Sequence, residues 1–363
     1  MQKGTQVLSI ETYPDDPVAS NQCNKFLYAR QDRYVFGCNE WAKSIAEQID
    51  LDGFVDDFTT ETSFCGKPVI RSQELPKTAR VISAIVGVRP LTALKHITKI
   101  SASVIDYFTF QRYSGLALKS VMFLSEFNEE FAINRSRYDW LFRRIKDADS
   151  RCILQKLINF RISRDLRYME GFVDAQDRQY FESFLKLSTN GETFLDVGSY
   201  DGNTSKEFIR QCPGYRSIHV FEPDPSNMKN VFIRLGMERN VHYHNYGVSD
   251  RHQVLHFASS GSASSVNASG DLLIRVKRID NVINEPYSFL KMDIEGSEVS
   301  ALQGASRTIR EYHPRLAISV YHKVDDFWRI PELVLSFRED YDIYMRHYTE
   351  GVTETVMFFM PKK

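Results

Sequence analysis

An α/β protein is predicted. A doubly wound, mostly parallel sheet with an antiparallel edge hairpin fills the C-terminal half, and a smaller open sheet and a helical connector precede it. Three observations carry this reading. Short apolar segments alternate with helically periodic ones from about Lys25 to Gly115, and again from Gly191 onward. Between them, residues from about Ser114 to Leu187 lack strand signals and run as charged, helically periodic sequence. The chain then closes on two segments, Tyr341 to His347 and Glu354 to Met360, that read as a hairpin at a sheet edge. The boundaries are 1–120, 121–187 and 188–363.

In the first zone, Arg33 to Gly37 reads as a strand entering a turn. Asn39 to Ile49 reads as a helix, with Trp41, Ile45 and Ile49 at helical spacing. Gly53 to Val55, Val69-Ile70, Arg80 to Val88 and Ser101 to Tyr107 supply further strands. The turn after Gly37 and the tip at Asp56-Asp57 would meet at one crevice. Gly37 permits close backbone approach, and the helix start near Asn39 offers N–H donors to an anion. Against that, Glu40 brings a negative charge and no further glycine follows. A scaffold without a ligand is therefore supported at least as well as a sugar-nucleotide site. In the connector, the charges read as a solvated helix face. No Gly/Ser-rich linker appears, so the zones are expected to pack together.

In the last zone, Thr193 to Val197, Ser217 to Phe221, Val241 to Tyr246, Phe289 to Ile294 and Arg315 to Tyr321 read as strands. Asn203 to Gln211, Pro225 to Leu235 and the segment from Glu298 to Gly304 read as helical.

Composition narrows the function. With 46 Lys+Arg against 47 Asp+Glu, the net charge of −1 supplies no basic field for nucleic acid or an anionic membrane. No apolar run reaches the length of a membrane span, and the stretch MQKGTQVLSIETYPDD lacks the apolar segment of a secretory leader. The five cysteines, Cys23, Cys38, Cys65, Cys152 and Cys212, are scattered and read as reduced thiols of a cytoplasmic protein.

The chemistry gathers at strand ends. FLDVGSYDGNTS puts Asp196 at the end of an apolar strand, with Gly198 and Gly202 before a helix. The glycines allow a tight turn and close approach to a ligand. Asp196 and Asp201 flank that loop, which suits a cationic ligand better than a pyrophosphate. S-adenosylmethionine, with a sulfonium and an ammonium and no phosphate, fits. In HVFEPDPSN, Glu222 ends the next strand, placed to accept hydrogen bonds from both ribose hydroxyls, with Phe221 or Pro223 facing the adenine. NYGVSD, with Gly247 and Val248, follows the third strand, where a loop would pass the adenine edge. His242 and His244 alternate before it and share a face; they read as structural or exposed.

FLKMDIEGSEVSALQGA carries Asp293 and Glu295 two apart at a strand end, on one side of the sheet. They could bind a substrate hydroxyl, act as a base or hold Mg²⁺; alternatively Glu295 and Glu298 only favour the next helix N-terminus. His322, just beyond the strand in LAISVYHKVDDFW, sits at the crevice edge, where a neutral imidazole could take a proton.

These blocks, with VFEPDPSN, KMDIEGSE, YHKVDDFW and the ending RHYTEGVTETVMFF, resemble the FkbM family of S-adenosylmethionine-dependent methyltransferases over about the last half of the chain. The resemblance implies a class I methyltransferase sheet and O-methylation of sugars or of hydroxyls on secondary metabolites. It implies cofactor binding by Asp196, Gly198, Gly202 and Glu222; Ser199, Phe221, Gly247 and Val248, in the same loops and strand ends, are the further cofactor-binding candidates. It places Asp293, Glu295 and His322 near the acceptor as the catalytic candidates; from their position alone, Asp293 and Glu295 are the ligands of any metal. The partner implied is a sugar, sugar-nucleotide or glycoconjugate; no nucleic acid or membrane span is expected, and an oligomer is compatible with the sequence. A polyketide or other small-metabolite acceptor is the rival enzyme reading, and an inactive scaffold the rival of another class. The first zone, through YVFGCNEWAKSIAEQI, GFVDDF and GKPVI, more loosely resembles the N-terminal Rossmann-like domain attached to some sugar-modifying enzymes.

Overall fold

The computed structural model describes residues 7–11, 16–258, 265–266, 270 and 272–362. Most of the stretch read for a leader lies outside these residues.

The chain begins with α1 (Pro17–Leu27), β1 (Arg33–Phe36), α2 (Glu40–Ala46), β2 (Gly53–Val55), β3 (Ser63–Phe64) and β4 (Lys67–Ile70). It continues through β5 (Arg80–Ser83), α3 (Pro90–Thr98), β6 (Ser103–Asp106) and α4 (Tyr107–Tyr113). The six strands form one sheet in the order β3-β4-β2-β1-β5-β6, parallel except where β3 meets β4. The strand expected over 80–88 stops at Ser83, because its parallel neighbour β1 ends at Phe36 and the last ladder bond runs from Ala84 N–H to Phe36 O.

The nucleotide crevice considered for this sheet is occupied by its own side chains. A Cβ on Gly37 would meet Ile85 Cδ1 at 2.8 Å, so this glycine, at φ +105°, serves packing rather than ligand approach. Asn39 Oδ1 accepts from Trp41 N–H and Ala42 N–H, using donors that an anion would need. Asp56 accepts from Phe58 N–H and Thr59 N–H, and Asp57 accepts from Ser72 N–H.

The connector contains α5 (Phe127–Arg144) and α6 (Ala148–Ser163). Its charges do more than face water. Glu130 accepts from the Trp328 indole N–H at 2.6 Å, and Arg137 pairs with Glu332 at 2.8 Å. Arg161 is buried with its guanidinium 3.6 Å from the Phe327 ring centre, a desolvated cation–π contact that ties α6 to the last zone.

The last zone runs β7 (Thr193–Val197), α7 (Asn203–Gln211), β8 (Ser217–Phe221), α8 (Pro225–Leu235), β9 (Val241–His244), β10 (Gly247–Val248), β11 (Gln253–Ala258), β12 (Ser265–Val266) and β13 (Leu272–Lys277). There follow α9 (Ile279–Val282), β14 (Phe289–Met292), α10 (Glu298–Gly304), α11 (Ser306–Tyr312), β15 (Arg315–Ser319), α12 (Asp326–Phe337), β16 (Tyr341–His347) and β17 (Thr355–Pro361). Seven strands form a sheet in the order β16-β17-β15-β14-β7-β8-β9, parallel except for β17. The order reverses between β8 and β14 on either side of β7, which opens a crevice at the strands' carboxyl ends. The strand expected over 241–246 breaks at His244, where Tyr246 N–H turns back onto the His244 carbonyl. The chain then enters a separate sheet, β10-β13-β11-β12, that the sequence reading did not anticipate.

The turn after β16 reaches the first sheet. The Glu350 carboxylate accepts from Thr92 N–H at 2.7 Å and from Thr92 Oγ1–H at 2.6 Å. It thereby caps α3, whose own N-cap residue, Arg89, makes no side-chain capping bond. Glu350→Ala should lower the unfolding free energy by about 1–2 kcal/mol, the usual cost of a lost cap. Urea denaturation monitored by circular dichroism checks this; an unchanged midpoint would remove the cap from the account.

Candidate active site

One cleft lies at the switch point, walled by Gly198, Phe221, Glu222, Gly247, Asp293 and Glu295. Gly198 has φ +80°, and a Cβ there would stand 1.8 Å from the Asp293 carbonyl oxygen. Only glycine lets the tips of β7 and β14 close to this distance. Val248 and Tyr200 also face the cleft, with Phe257, Ile274 and Val276 of the small sheet forming an apolar wall beside Gly247.

Glu222 is buried at this wall. Its Oε2 accepts from Tyr200 N–H and its Oε1 from Asp224 N–H, both at 2.9 Å. The Asn227 side chain also hydrogen-bonds this carboxylate, and the remaining lone-pair capacity is open to a ligand hydroxyl. Asn245 Nδ2–H donates to the Glu222 carbonyl at 2.9 Å and pins the NYGVSD loop to this tip. Burial pushes the Glu222 carboxyl up to about 6. The raised value means that the empty, folded site favours the protonated acid, so acid does not unfold the protein through this group. A ribose, by contrast, donates best to the carboxylate. Affinity for S-adenosylhomocysteine should therefore fall roughly tenfold from pH 7.5 to pH 5. The Glu222→Gln variant should bind weakly with little pH dependence over the same range. Calorimetry at the two pH values decides it, and a flat wild-type profile counts against Glu222 as the acceptor.

Three residues expected at the cofactor stand behind the cleft wall instead. Asp196 is fully buried; its Oδ2 accepts from Ser199 Oγ–H at 2.9 Å and Ser205 Oγ–H at 2.7 Å. The buried ammonium of Lys291 lies 3.4 Å from its Oδ1. The carboxylate is thus neutralised inside the sheet and does not face a cationic ligand. The Ser199 hydroxyl is spent on the same carboxylate. Gly202, at φ +83°, packs on α8, with a hypothetical Cβ 3.4 Å from Val231 Cα. Asp201 pairs with Arg234 at 2.8 Å.

The acceptor side is more crowded than expected. Asp293 Oδ2 accepts from the Tyr180 hydroxyl at 2.5 Å, and the Tyr321 hydroxyl lies 3.4 Å from Asp293 Oδ1 and from Glu354 Oε1. Burial beside Asp293 pushes the Glu354 carboxyl up to about 7. Glu295 holds the left-handed conformation at φ +54°, rare for a residue with a side chain.

Comparison with known proteins identifies this domain. The methyltransferase FkbM domain model matches residues 196–349. Those residues are a methyltransferase FkbM domain. The chain is an S-adenosylmethionine-dependent methyltransferase. Nearly the whole structure resembles the methyltransferase FkbM of Methylobacillus flagellatus KT, with a TM-score of 0.73 and 23% identity over 95% of this chain and 93% of that one. The shared fold therefore includes the first sheet and the connector. Two further structures align with about half of this chain. An rRNA methylase from Streptococcus thermophilus covers 50% of this chain and 93% of its own, at 14% identity and a TM-score of 0.34. Aeropyrum pernix fibrillarin, in complex with natively bound S-adenosyl-L-methionine, covers 48% and 69%, at 13% identity and a TM-score of 0.33. No curated protein matches the sequence.

Within the FkbM domain, His322 is buried among carboxylates. Its side chain is 5% exposed, with Nδ1 3.0 Å from Glu298 Oε1 and Nε2 between Asp293 and Glu295. Although burial alone would lower it, the surrounding carboxylates raise the imidazole well above its ordinary value. The ring is thus held among three carboxylates at the acceptor end of the cleft. Sequence reasoning also missed Tyr180, Tyr321 and Glu354 around Asp293, and Lys291 under Asp196.

Proposed function

We propose that the FkbM domain methylates a hydroxyl oxygen of a sugar or glycoconjugate. A single observation carries the reading: one continuous cleft joins Glu222, the ribose acceptor, to Asp293 and Glu295, the acceptor-side carboxylates. The cofactor's adenosine would lie between Glu222 and the apolar wall at Gly247, with its methyl directed toward Asp293. The acceptor oxygen would approach opposite the C–S bond. As the O–C bond forms, the C–S bond breaks, its electron pair returns to sulfur and S-adenosylhomocysteine departs. The hydroxyl proton passes to a carboxylate of the Asp293/Glu295 pair. Alignment supplies several kcal/mol and a base within reach about 10²–10⁴-fold. A polyhydroxylated acceptor suits two adjacent carboxylates, since neighbouring hydroxyls can donate to both. Among the described residues no helix is long and apolar enough to cross a membrane; action in the cytoplasm fits five free thiols.

Methyl-labelled S-adenosylmethionine incubated with the full chain and panels of sugar nucleotides, glycans and polyketides tests this. Label on a sugar hydroxyl is the expected result. Label confined to polyketides, or none on any acceptor, would contradict it.

A further inference from the structure

We propose that Asp293, Glu295 and His322 form a binding site for a divalent transition ion, Mn²⁺ or Zn²⁺, at the acceptor end of the cleft. The role given to this ion rests on the methyl-transfer reading above; its binding does not.

The argument starts at His322 Nε2. It lies 3.4 Å from Asp293 Oδ1 and 3.6 Å from Glu295 Oε2 and completes a hydrogen bond with neither. These separations are long for hydrogen bonds. The first equals, and the second slightly exceeds, the edge of about 3.3–3.4 Å of a tetrahedron around an ion with bonds of about 2.0–2.1 Å. The three side chains offer donor atoms that all lie within 4.8 Å of one another. With its side chain only 5% exposed, the imidazole is a buried polar group aimed at that point.

The surroundings are those of a metal-bound histidine. Glu298, with a side chain 1% exposed, stands 3.0 Å from Nδ1. A proton on Nδ1 would face this carboxylate, and the neutral ring would then turn its Nε2 lone pair toward Asp293 and Glu295. Glu298 Oε1 is itself fixed by Ile294 N–H at 2.9 Å. The Asp326 carboxylate accepts from His322 N–H at 3.1 Å and Lys323 N–H at 2.7 Å, which holds the backbone carrying the ring. Tyr180 occupies Asp293 Oδ2, while Oδ1, with only the Tyr321 hydroxyl at 3.4 Å, keeps a lone pair for the ion. The left-handed backbone at Glu295 brings its carboxylate to the same point.

A second trio, His219, His242 and Glu285, has comparable spacing but a different character. There His219 Nε2 already meets Glu285 at 2.9 Å and its Nδ1 meets His244 at 3.1 Å. Both ring nitrogens are engaged, and no lone pair is left for an ion.

One nitrogen and two carboxylate oxygens suit Mn²⁺ or Zn²⁺ better than Mg²⁺, which prefers oxygen ligands and retained water. Three protein ligands leave a position for the acceptor hydroxyl. Bound there, the hydroxyl becomes acidic enough to release its proton to water, as metal-bound water does near pH 7. Asp293 then serves as a ligand in place of a base, and His322 as a neutral ligand beside it.

The test uses the full chain, stripped with EDTA and dialysed. It is titrated with MnCl₂ under electron paramagnetic resonance, with ZnCl₂ and MgCl₂ by calorimetry, and in parallel with S-adenosylhomocysteine. One Mn²⁺ or Zn²⁺ per chain is expected. Glu295→Gln and His322→Gln should each weaken it at least tenfold, while S-adenosylhomocysteine affinity stays within about twofold. A wild-type chain that binds S-adenosylhomocysteine but neither Mn²⁺ nor Zn²⁺ would overturn the site, as would ion binding indifferent to both substitutions. Ion binding sensitive to both in a chain that does not bind S-adenosylhomocysteine would uphold the site and sink the cofactor reading instead.

Discussion

Gly198→Ala is expected to abolish detectable S-adenosylhomocysteine binding and to destabilise the protein by about 2–4 kcal/mol. Two costs combine. The left-handed backbone at φ +80° disfavours any side chain, and the new Cβ would fall 1.8 Å from the Asp293 carbonyl oxygen. Strained backbone and overpacking each cost about 1–3 kcal/mol. Neighbours can relieve the clash only by parting the tips of β7 and β14, and these tips carry the two ends of the cleft. Circular dichroism melts and ligand titration read the two effects separately. A variant with wild-type affinity would show that the close approach of these tips is irrelevant to the site.

Asp293→Asn is expected to lower methyl transfer by about 10²–10⁴-fold, the range for loss of a positioned acid–base group. The amide cannot take a proton and ligates an ion poorly, so the loss is expected with or without a bound metal. The residue is held by the Tyr180 hydroxyl, and the isosteric change keeps that contact. Affinity for S-adenosylhomocysteine should therefore stay within a few fold. Single-turnover measurement with labelled cofactor checks the chemical step; undiminished turnover would remove Asp293 from the chemistry.

How much of this was legible in the sequence depended on the range of the contact involved. β7, α7, β8, α8 and β16 span the residues that the hydrophobic pattern indicates. β7 and β8 are buried along their length, β16 alternates buried and half-buried positions, and Gly202 and Pro225 mark the starts of α7 and α8. The small sheet was not read. β11 and β13 alternate exposed and buried positions, as a one-sided sheet must, but pair across a Ser/Ala/Gly-rich segment that resembles a loop. Most of that segment lies outside the described residues.

The acceptor side was read in part for a related reason. Asp293 and Glu295 stand two apart on one strand end, a local pattern. Tyr180 comes from the end of the connector, and no spacing rule links it to a residue more than a hundred positions on. Glu298 resembled a helix-start acid until the fold brought His322 against it. Lys291 did leave a signal. A lysine within the apolar run Phe289–Met292 must find a buried partner, and parallel pairing of the two strands sets it directly beside Asp196. That register turns Asp196 from a ligand contact into a charge held inside the sheet.

The central claim is that the cleft between Glu222 and Asp293 holds the methyl donor. Calorimetric titration of S-adenosylhomocysteine into the wild type and Glu222→Ala at pH 7.5 tests it most directly. The account predicts 1:1 binding by the wild type, weakened in the variant by about 1–3 kcal/mol, the cost of losing a charged hydrogen-bond acceptor. No binding by the wild type, or equal affinity in the two proteins, would contradict it.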